Sequence, residues 1–327
     1  METFEYASPA SVAEAVALLG AKWEDAAALA GGTDLLNCMK DYVYNPKRVV
    51  SLKNIKELNG VSKTAAGLRI GATTPIEDMM QNATVRSEYP SLMQAAQGIH
   101  SMQIRNMGTV GGDLCQRPRC WYFRSGHGVL GQDEGGKSLV TQGENRYHAI
   151  FGGGPAYFVS ASSFGPALAA LGASVKLVGP SGSRDVPIEK FFVIPQSSSA
   201  REIALLPNEI LTEITIPAAR NRKNATYEVR HREAIDWPLA TASVALDMNG
   251  SSVSAARIRM GHVAPTPWAA AQAEQMLAGK SITPDVAEQV AQAAVQGAKP
   301  LSQNQYKVQL AKVAVKRALL TAAGIAV

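Results

Sequence analysis

Ala30-Gly31-Gly32-Thr33-Asp34 stands between the apolar residues 27–29 and the pair Leu35-Leu36. This order predicts a short buried strand, a tight glycine turn and the start of a helix. Glycine has no side chain to block a ligand, so its backbone amides can approach a phosphate closely, and Thr33 adds a hydroxyl donor. Taken alone, the stretch fits an ordinary strand-to-helix turn as well as an anion-binding loop.

A second stretch of the same kind is Gln103-Ile104-Arg105-Asn106-Met107-Gly108-Thr109-Val110-Gly111-Gly112-Asp113. It offers glycine amides, a hydroxyl and an arginine within a short length of chain. Two amide-rich turns in one α/β unit can clamp a single diphosphate from two sides. The alternative interpretation is a bend that carries a surface arginine.

The flanking sequence predicts alternating helices and strands. Ser11 and Glu14 form a capping box ahead of an apolar helix that ends at Gly20. Thr74-Pro75-Ile76-Glu77 predicts another helix start, with Thr74 as the N-cap. A short helix is predicted over residues 166–171, and strands over 49–52, 67–72, 156–159, 175–178 and 211–216.

The last third of the chain has a different order. Strands are predicted over residues 225–229, 243–247 and 253–260, and Asn249-Gly250 is a strong hairpin-turn pair. Helical stretches follow near 267–278, 284–297 and 304–322. Strands followed by helices are typical of an α+β unit, so a domain boundary is predicted between Asn221 and Asn224.

Composition excludes several classes of protein. The 327 residues predict two domains, perhaps a third, and 46% hydrophobic residues exclude a mainly disordered chain. Three cysteines are too few for a disulfide framework. No apolar run approaches the ~20 residues of a membrane helix, and no signal peptide is evident, which favours the cytoplasm weakly. The net charge of +5 is dispersed, which argues against a nucleic-acid interface.

The segment from Gly108 to Gly154 is rich in glycine and weakly periodic, which is typical of a functional loop. Residues 126–131 fit G-x-G-x-x-G, and residues 131–138 fit a phosphate-loop pattern that ends in Lys137 and Ser138. Both patterns need a buried strand before them and a helix after them, and neither context is predicted. They are interpreted as chance matches, and a phosphate-loop protein using Lys137 and Ser138 stays as the rival hypothesis.

Cys115 and Cys120 bracket Gln116-Arg117-Pro118-Arg119 in the same segment. Two thiolates can face one soft metal, but an iron–sulfur cluster usually takes four ligands. His127 and His148 are distant substitutes. The favoured interpretation is therefore a pair of structural or vestigial thiols.

In this order and at this separation, the two glycine stretches resemble the flavin-binding subunits of molybdenum hydroxylases. That family includes xanthine dehydrogenase, carbon monoxide dehydrogenase and bacterial aldehyde oxidoreductase. The resemblance implies an α+β protein in which a two-subdomain FAD-binding domain (PCMH-type) precedes a smaller α+β domain with a β-sheet and helices. The implied domains are 1–222 and 223–327, with subdomains of about 1–60 and 61–222 and an inserted loop of about 114–154.

The resemblance also implies how FAD is held. The pyrophosphate would rest on the amides of Gly31, Gly32, Thr33, Gly111 and Gly112, and Arg105 or Arg232 could offset negative charge. The family usually has Asn where Asp113 stands, and its Ser-Asp flavin contact appears here as Ser162-Ser163. A carboxylate contact is therefore predicted to be missing. The implied cofactor-binding residues are Ala30, Gly31, Gly32, Thr33, Asp34, Leu35, Arg105, Gly108, Thr109, Gly111, Gly112, Asp113, Ser162 and Arg232.

The stretch Leu114 to Phe123 is most similar to a subgroup whose inserted loop binds an extra [4Fe–4S] cluster through four cysteines. Residues 143–149 resemble the far end of that insertion. Only Cys115 and Cys120 are present here, and Ser138 stands about where a later ligand is expected. The resemblance implies that the loop is kept and the cluster is lost.

The implied function is that of an FAD-carrying electron-transfer subunit. A large partner subunit with molybdopterin would oxidise an aldehyde or heterocycle, and [2Fe–2S] clusters on a small subunit would pass electrons to this FAD. The assembly would be a heterotrimer or a dimer of one, with export beside a partner left open. NAD, oxygen, quinone and ferredoxin all stay open as the acceptor, and a flavin-free scaffold is the further alternative.

Overall fold

The computed structural model describes residues 1–220, 222–232 and 235–327. Asn221, at the predicted domain boundary, lies outside the described residues. The strands in this part of the chain are β1 (Glu5–Ala7), β2 (Ala26–Leu29), β3 (Arg48–Ser51), β4 (Val61–Thr64), β5 (Gly67–Gly71), β6 (Ser174–Gly179), β7 (Gly182–Pro187), β8 (Ile210–Pro217), β9 (Lys223–Val229), β10 (Ala240–Asn249), β11 (Ser252–Gly261) and β12 (Trp268–Ala269).

The helices are mostly short, and only the last exceeds four turns. They are α1 (Val12–Leu18), α2 (Leu35–Lys40), α3 (Ile76–Gln81), α4 (Ala83–Glu88), α5 (Pro90–Gln97), α6 (Met102–Met107), α7 (Val110–Cys115), α8 (Trp121–Arg124), α9 (Leu139–Gln142), α10 (Phe164–Leu171), α11 (Ile188–Phe191), α12 (Ala271–Met276), α13 (Pro284–Ala294) and α14 (Tyr306–Ala323).

The first sheet is small and parallel, in the order β1-β3-β2. Its strands are joined through α1 and α2, as expected for parallel strands, which need a crossover connection. The predicted cap of α1 is confirmed, because the Ser11 hydroxyl accepts a hydrogen bond from the Glu14 N–H at 3.2 Å. This sheet delivers the first glycine stretch from the end of β2 to the start of α2.

The second sheet is antiparallel, in the order β4-β5-β8-β6-β7. Its core packs against α10, every residue of which is buried. The helix ends at Gly172 in the left-handed conformation (φ +74°), which confirms the short helix predicted over residues 166–171. Leu168, Ile214 and Ile216 form part of this core.

The third sheet, β12-β11-β10-β9, is also antiparallel; α14 and α12 pack against it, and α13 packs on these two helices. The predicted hairpin is confirmed: Asn249 pairs with Ser252, and Gly250 has a φ of +58°. The α+β class is therefore confirmed.

Three local predictions were wrong. Residues 156–159 form no strand, because Tyr157 C=O accepts from Ala149 N–H while Ser160 N–H donates to Ala264 C=O, so no ladder continues. Thr74 does not cap α3, since its hydroxyl hydrogen-bonds to the Gly60 backbone instead. The helix expected from residue 267 begins at Ala271, because Trp268 pairs with Met260 in the sheet.

The glycine-rich residues 114–154, here called the insert segment, contain two helices of four residues each, α8 and α9. An apolar cluster holds the segment together. Its buried members are Phe123, Val129, Leu130, Ala156 and Phe158.

Within the described ranges, the helices are all too short or too polar to span a bilayer.

Leu168→Ala should lower the free energy of unfolding by about 2–5 kcal/mol, because it leaves a cavity beside the second sheet. Leu206→Ala is the matched control, since Leu206 is exposed, and it should change the stability by less than about 0.5 kcal/mol. Urea unfolding followed by circular dichroism measures both. Equal effects of the two substitutions would contradict the packing described for α10.

Candidate functional site

The first glycine stretch leaves a row of backbone donors without acceptors. The N–H groups of Gly31, Gly32 and Thr33 make no hydrogen bond to any described residue. Gly32 has a φ of +78°, and a Cβ at Gly31 would lie 1.9 Å from the Met107 carbonyl oxygen. Only glycine therefore fits at both positions. Unpaired amides at the start of a helix are suited to an anionic ligand.

The second stretch is built differently. The Gly111 N–H donates to the Ala72 carbonyl at 2.9 Å, and the Gly112 N–H donates to the Thr109 hydroxyl at 3.0 Å. Both amides thus have an acceptor within the protein, and their predicted contact with a pyrophosphate stays a prediction. Gly111 instead allows close packing, since a Cβ there would lie 2.7 Å from Ala72. The second stretch thus shapes the groove, while the first stretch supplies the donors.

The two stretches meet at the middle of a bent groove. One cleft, the outer arm, extends from β2 and α2. The other, the inner arm, extends from α6 to residues 230 and 235–238, between β9 and β10. Both are lined by Thr33, Asp34, Thr109 and Gly112. A groove with two arms and unpaired amides near its centre fits a ligand with a diphosphate between two ring systems. The predicted site residues that line it are Ala30, Gly31, Gly32, Thr33, Asp34, Leu35, Gly108, Thr109, Gly111, Gly112 and Asp113.

Asp34 uses its carboxylate within the protein. One oxygen lies 2.8 Å from Arg124 Nη2 and 3.0 Å from Arg119 Nη1, and the other accepts the Arg117 N–H at 2.7 Å. Arg124 also donates to the Cys38 sulfur at 2.8 Å. Asp34 therefore holds the insert segment against the first glycine stretch. Burial is the largest cause that raises the pKa of the Cys38 thiol.

Asp113 is buried at the N-terminus of α10. Its carboxylate accepts from the Ser162 hydroxyl at 2.5 Å and from the N–H groups of Ser163 and Phe164 at 3.2 and 3.0 Å. Gln116 donates a fourth bond at 2.9 Å. The predicted absence of a carboxylate contact to the flavin stays a prediction, and the Asp113 carboxylate holds the start of α10. The Ser162 hydroxyl is occupied by Asp113 and by Gly165 N–H, away from both clefts.

The two predicted arginines lie outside the groove. Arg105 donates to Glu77 at 2.9 Å and to the Ile99 carbonyl at 3.2 Å. Arg232 is largely exposed and lines a separate cavity. Arg230 lines the groove instead, where it pairs with Glu228 and the Asp236 carbonyl. The alternating pattern of residues 227–232 did not predict this position of Arg230, because β9 ends at Val229 and Arg230 lies beyond the strand.

The outer arm of the groove also contains residues that belong to no sequence motif. The Arg201 guanidinium lies 4.0 Å from the Trp23 ring and 5.5 Å from the Tyr44 ring. These three come from separate segments, so no local pattern brings them together. They form a cationic, aromatic end to the cleft.

The two cysteines of the insert segment belong to different packing clusters. Cys115 packs against the core around α10, and Cys120 packs with Phe123 and Val129. Burial raises the pKa of the Cys115 thiol to about 12. The described residues contain no group of three or more His, Cys, Asp or Glu side chains placed to hold a metal ion.

The phosphate-loop pattern does not form a phosphate site. The Asp133 carboxylate accepts the Lys137 N–H at 2.9 Å, so an acidic side chain occupies an amide that a phosphate would need. The following helix, α9, has only four residues. The rival hypothesis based on Lys137 and Ser138 is therefore not supported.

Burial, as the largest cause, raises the pKa of Asp113 from 3.8 to about 6. Because the folded-state pKa is the higher one, the stabilising contribution of this carboxyl is present below its ordinary pKa. It is lost as the pH rises through about 6. The stability of the wild type relative to Asp113→Asn should therefore fall by up to about 3 kcal/mol between about pH 4 and about pH 8.

Urea unfolding of both proteins across this pH range measures the difference. Asp78→Asn, at an exposed position, is the control and should show no such trend. A difference between wild type and Asp113→Asn that stays constant with pH would contradict the raised pKa.

Two family models match the chain. "FAD binding domain in molybdopterin dehydrogenase" covers residues 2–219, and "CO dehydrogenase flavoprotein C-terminal domain" covers residues 225–322.

Individual relatives match over nearly their whole length. The carbon monoxide dehydrogenase medium chain of Hydrogenophaga pseudoflava is 32% identical, over 97% of this chain and 96% of that one. The aldehyde oxidoreductase FAD-binding subunit of Escherichia coli (strain K12) is 30% identical, over 95% of this chain and 96% of that one. A chain of quinoline 2-oxidoreductase from Pseudomonas putida 86 superposes with a TM-score of 0.77 at 26% identity, covering 99% of this chain and 98% of that one. With the two-armed groove and its unpaired amides, these matches confirm the predicted resemblance: the chain belongs to the family of FAD-binding subunits of molybdopterin dehydrogenases.

Proposed function

We propose that this chain binds FAD in the two-armed groove and passes electrons from [2Fe–2S] clusters of a small partner subunit to a terminal acceptor. A large partner subunit with molybdopterin would oxidise the substrate, an aldehyde or a heterocycle. The observation that carries the proposal is the row of unpaired amides at Gly31, Gly32 and Thr33, in a chain matched by an FAD-binding family model.

The residues present fit the cofactor. Flavin supplies electron-transfer chemistry when bound, and the protein's part is to bind it, orient it and set its surroundings. The amides of Gly31, Gly32 and Thr33 would hold the diphosphate, and Gly111, which packs against Ala72, lines the same cleft. Arg230 places a cationic group at the inner arm, and Arg201 places one at the outer arm.

We also propose that the insert segment carries no iron–sulfur cluster. The support is the separation of Cys115 and Cys120 into two packing clusters, together with the apolar cluster that holds the segment. The segment would thus keep its structural role through the bonds between Asp34 and its arginines.

Two further proposals concern the domain boundary and the compartment of the protein. We propose a domain boundary at residue 222, which falls between the ranges of the two family models. We propose a cytoplasmic location, since Cys38, Cys115 and Cys120 are all free thiols, as is usual in a reducing compartment.

Gly31→Ala should abolish FAD binding, because a Cβ there meets the Met107 carbonyl oxygen and displaces the donor row. Gly135→Ala is the matched control: it also lies in a glycine-rich turn, but its Cβ would approach nothing closer than 3.4 Å. Lys137→Ala should likewise leave binding unchanged. The measurement is the visible flavin absorption of the purified proteins and the FAD released on denaturation.

A wild type without flavin would favour the scaffold alternative. Loss of nucleotide binding in Lys137→Ala alone would revive the phosphate-loop hypothesis.

The separately purified chain should contain FAD but no iron. Cys120→Ser should keep the flavin content of the wild type, since Cys120 lines neither cleft of the groove. Metal analysis and acid-labile sulfide assay test this, and about four irons per chain would show that a cluster is retained.

A further inference from the structure

The outer arm of the groove is lined by an arginine whose charge has no partner. Arg201 forms neither an ion pair nor a hydrogen bond with any described residue. Its Nε is closed off from solvent, whereas its two Nη atoms are open to solvent. The next residue, Glu202, is buried and lies 2.6 Å from Arg117 Nε instead. Because a guanidinium is always charged and carries five N–H donors, an open one in a cleft indicates a ligand that accepts from it.

The acidic side chains that line the outer arm do not neutralise this charge. Glu209 pairs with Arg184 at 2.7 Å, and Asp34 pairs with Arg124 at 2.8 Å. Each of these carboxylates therefore has its own arginine from another part of the fold. The charge of Arg201 contributes nothing to these ion pairs and is left for a ligand in the cleft.

Two aromatic rings hold the Arg201 side chain in place. Its guanidinium lies 4.0 Å from the Trp23 ring and 5.5 Å from the Tyr44 ring. Tyr44 is fixed in turn, since its hydroxyl donates to the carbonyls of Trp23 and of Ala26, the latter at 3.3 Å. A planar guanidinium stacked on aromatic rings loses little freedom when a ligand binds. The outer arm is thus a preorganised cationic and aromatic site.

The two arms of the groove differ in how open their walls are. Ile235 and Trp237 line the inner arm and are 79% and 43% exposed. Trp23 and Tyr44 line the outer arm and are both half-buried. A ring that exchanges electrons with partner subunits needs an edge that a partner can approach, whereas a ring that only anchors the cofactor does not. The inner arm therefore suits the isoalloxazine ring of FAD, and the outer arm suits its adenine ring.

Adenine also has the chemistry that Arg201 calls for. It is planar, and its ring nitrogens accept hydrogen bonds. Proteins stack nucleobases on arginine planes as well as on aromatic rings. FMN has the same isoalloxazine ring and a phosphate, but it has no adenosine. It would leave Arg201, Trp23 and Tyr44 without a ligand.

We propose that Arg201, held by Trp23 and Tyr44, is the residue that makes this chain select FAD over FMN, through the adenine ring in the outer arm. The inference rests on the proposed function and deepens it, since it assigns the discrimination between two flavin cofactors to one side chain. The row of amides at Gly31, Gly32 and Thr33 would serve both cofactors, and the outer arm would serve only FAD.

The test is calorimetric titration of the full chain after its flavin has been removed, with FAD, FMN, ADP and inorganic pyrophosphate as separate probes. Arg201→Gln should weaken the binding of FAD and ADP about tenfold, as expected for a lost base-stacking contact. It should leave the binding of FMN and pyrophosphate unchanged. Equal weakening of FMN would show a general defect of the groove, and equal weakening of pyrophosphate would show that Arg201 serves the diphosphate. Either result overturns the proposal.

The ring that supports Arg201 gives a second set of variants. Trp23→Leu removes the ring and should lower the FAD-to-FMN affinity ratio as Arg201→Gln does. Trp23→Phe keeps a ring and should retain most of the ratio. Arg146→Gln is the matched control, because Arg146 is an exposed arginine that lines neither cleft, and it should keep the ratio of the wild type. Circular dichroism of each sample shows that it is folded.

The outcomes separate this inference from the function on which it rests. A wild-type chain that binds neither FAD nor FMN would contradict the proposed function, and the inference with it. A wild-type chain that binds FAD, with folded Arg201→Gln and Trp23→Leu variants whose FAD-to-FMN ratio is unchanged, would overturn the inference alone.

Discussion

The carboxylate of Asp34 is the contact on which the site depends. It stands directly after the unpaired amides of the first glycine stretch and receives bonds from Arg117, Arg119 and Arg124 of the insert segment. Removal of this partly buried carboxylate would be costly, because the guanidinium groups of Arg119 and Arg124 would lose a charged partner. One side chain therefore ties the first glycine stretch to the insert segment.

The same contact reaches a neighbouring cavity. Arg119 pairs with Asp34, and its guanidinium packs against the Trp237 ring, 5.0 Å away. Arg119 and Trp237 line the groove and also a separate cavity of about 470 Å³. The segment between Cys115 and Cys120 is thus a wall with two faces.

Sequence reasoning succeeded where the determinants are local. The Ser11 cap, the Asn249-Gly250 hairpin and the strand-turn-helix around Gly31 are each specified by a few adjacent residues, and the structure has them. The resemblance, carried by two glycine stretches, identified the family before the groove was known.

It failed where a partner comes from a distant part of the chain. Nothing near Gly111 indicates that the Ala72 carbonyl accepts its amide proton, and nothing near Trp23 indicates that Arg201 stacks on it. Tertiary burial, rather than residue type, determines all of these features.

The first turn of α10 is held by a residue from a distant part of the chain. The N–H groups of Ser163 and Phe164 donate to the buried carboxylate of Asp113, which belongs to α7 and not to the segment that contains α10. A single acid thus caps this helix from a distant part of the chain, since its carboxylate accepts both N–H groups. A change at position 113 would therefore act about 50 residues further along the chain, where the first turn of α10 would lose its acceptor.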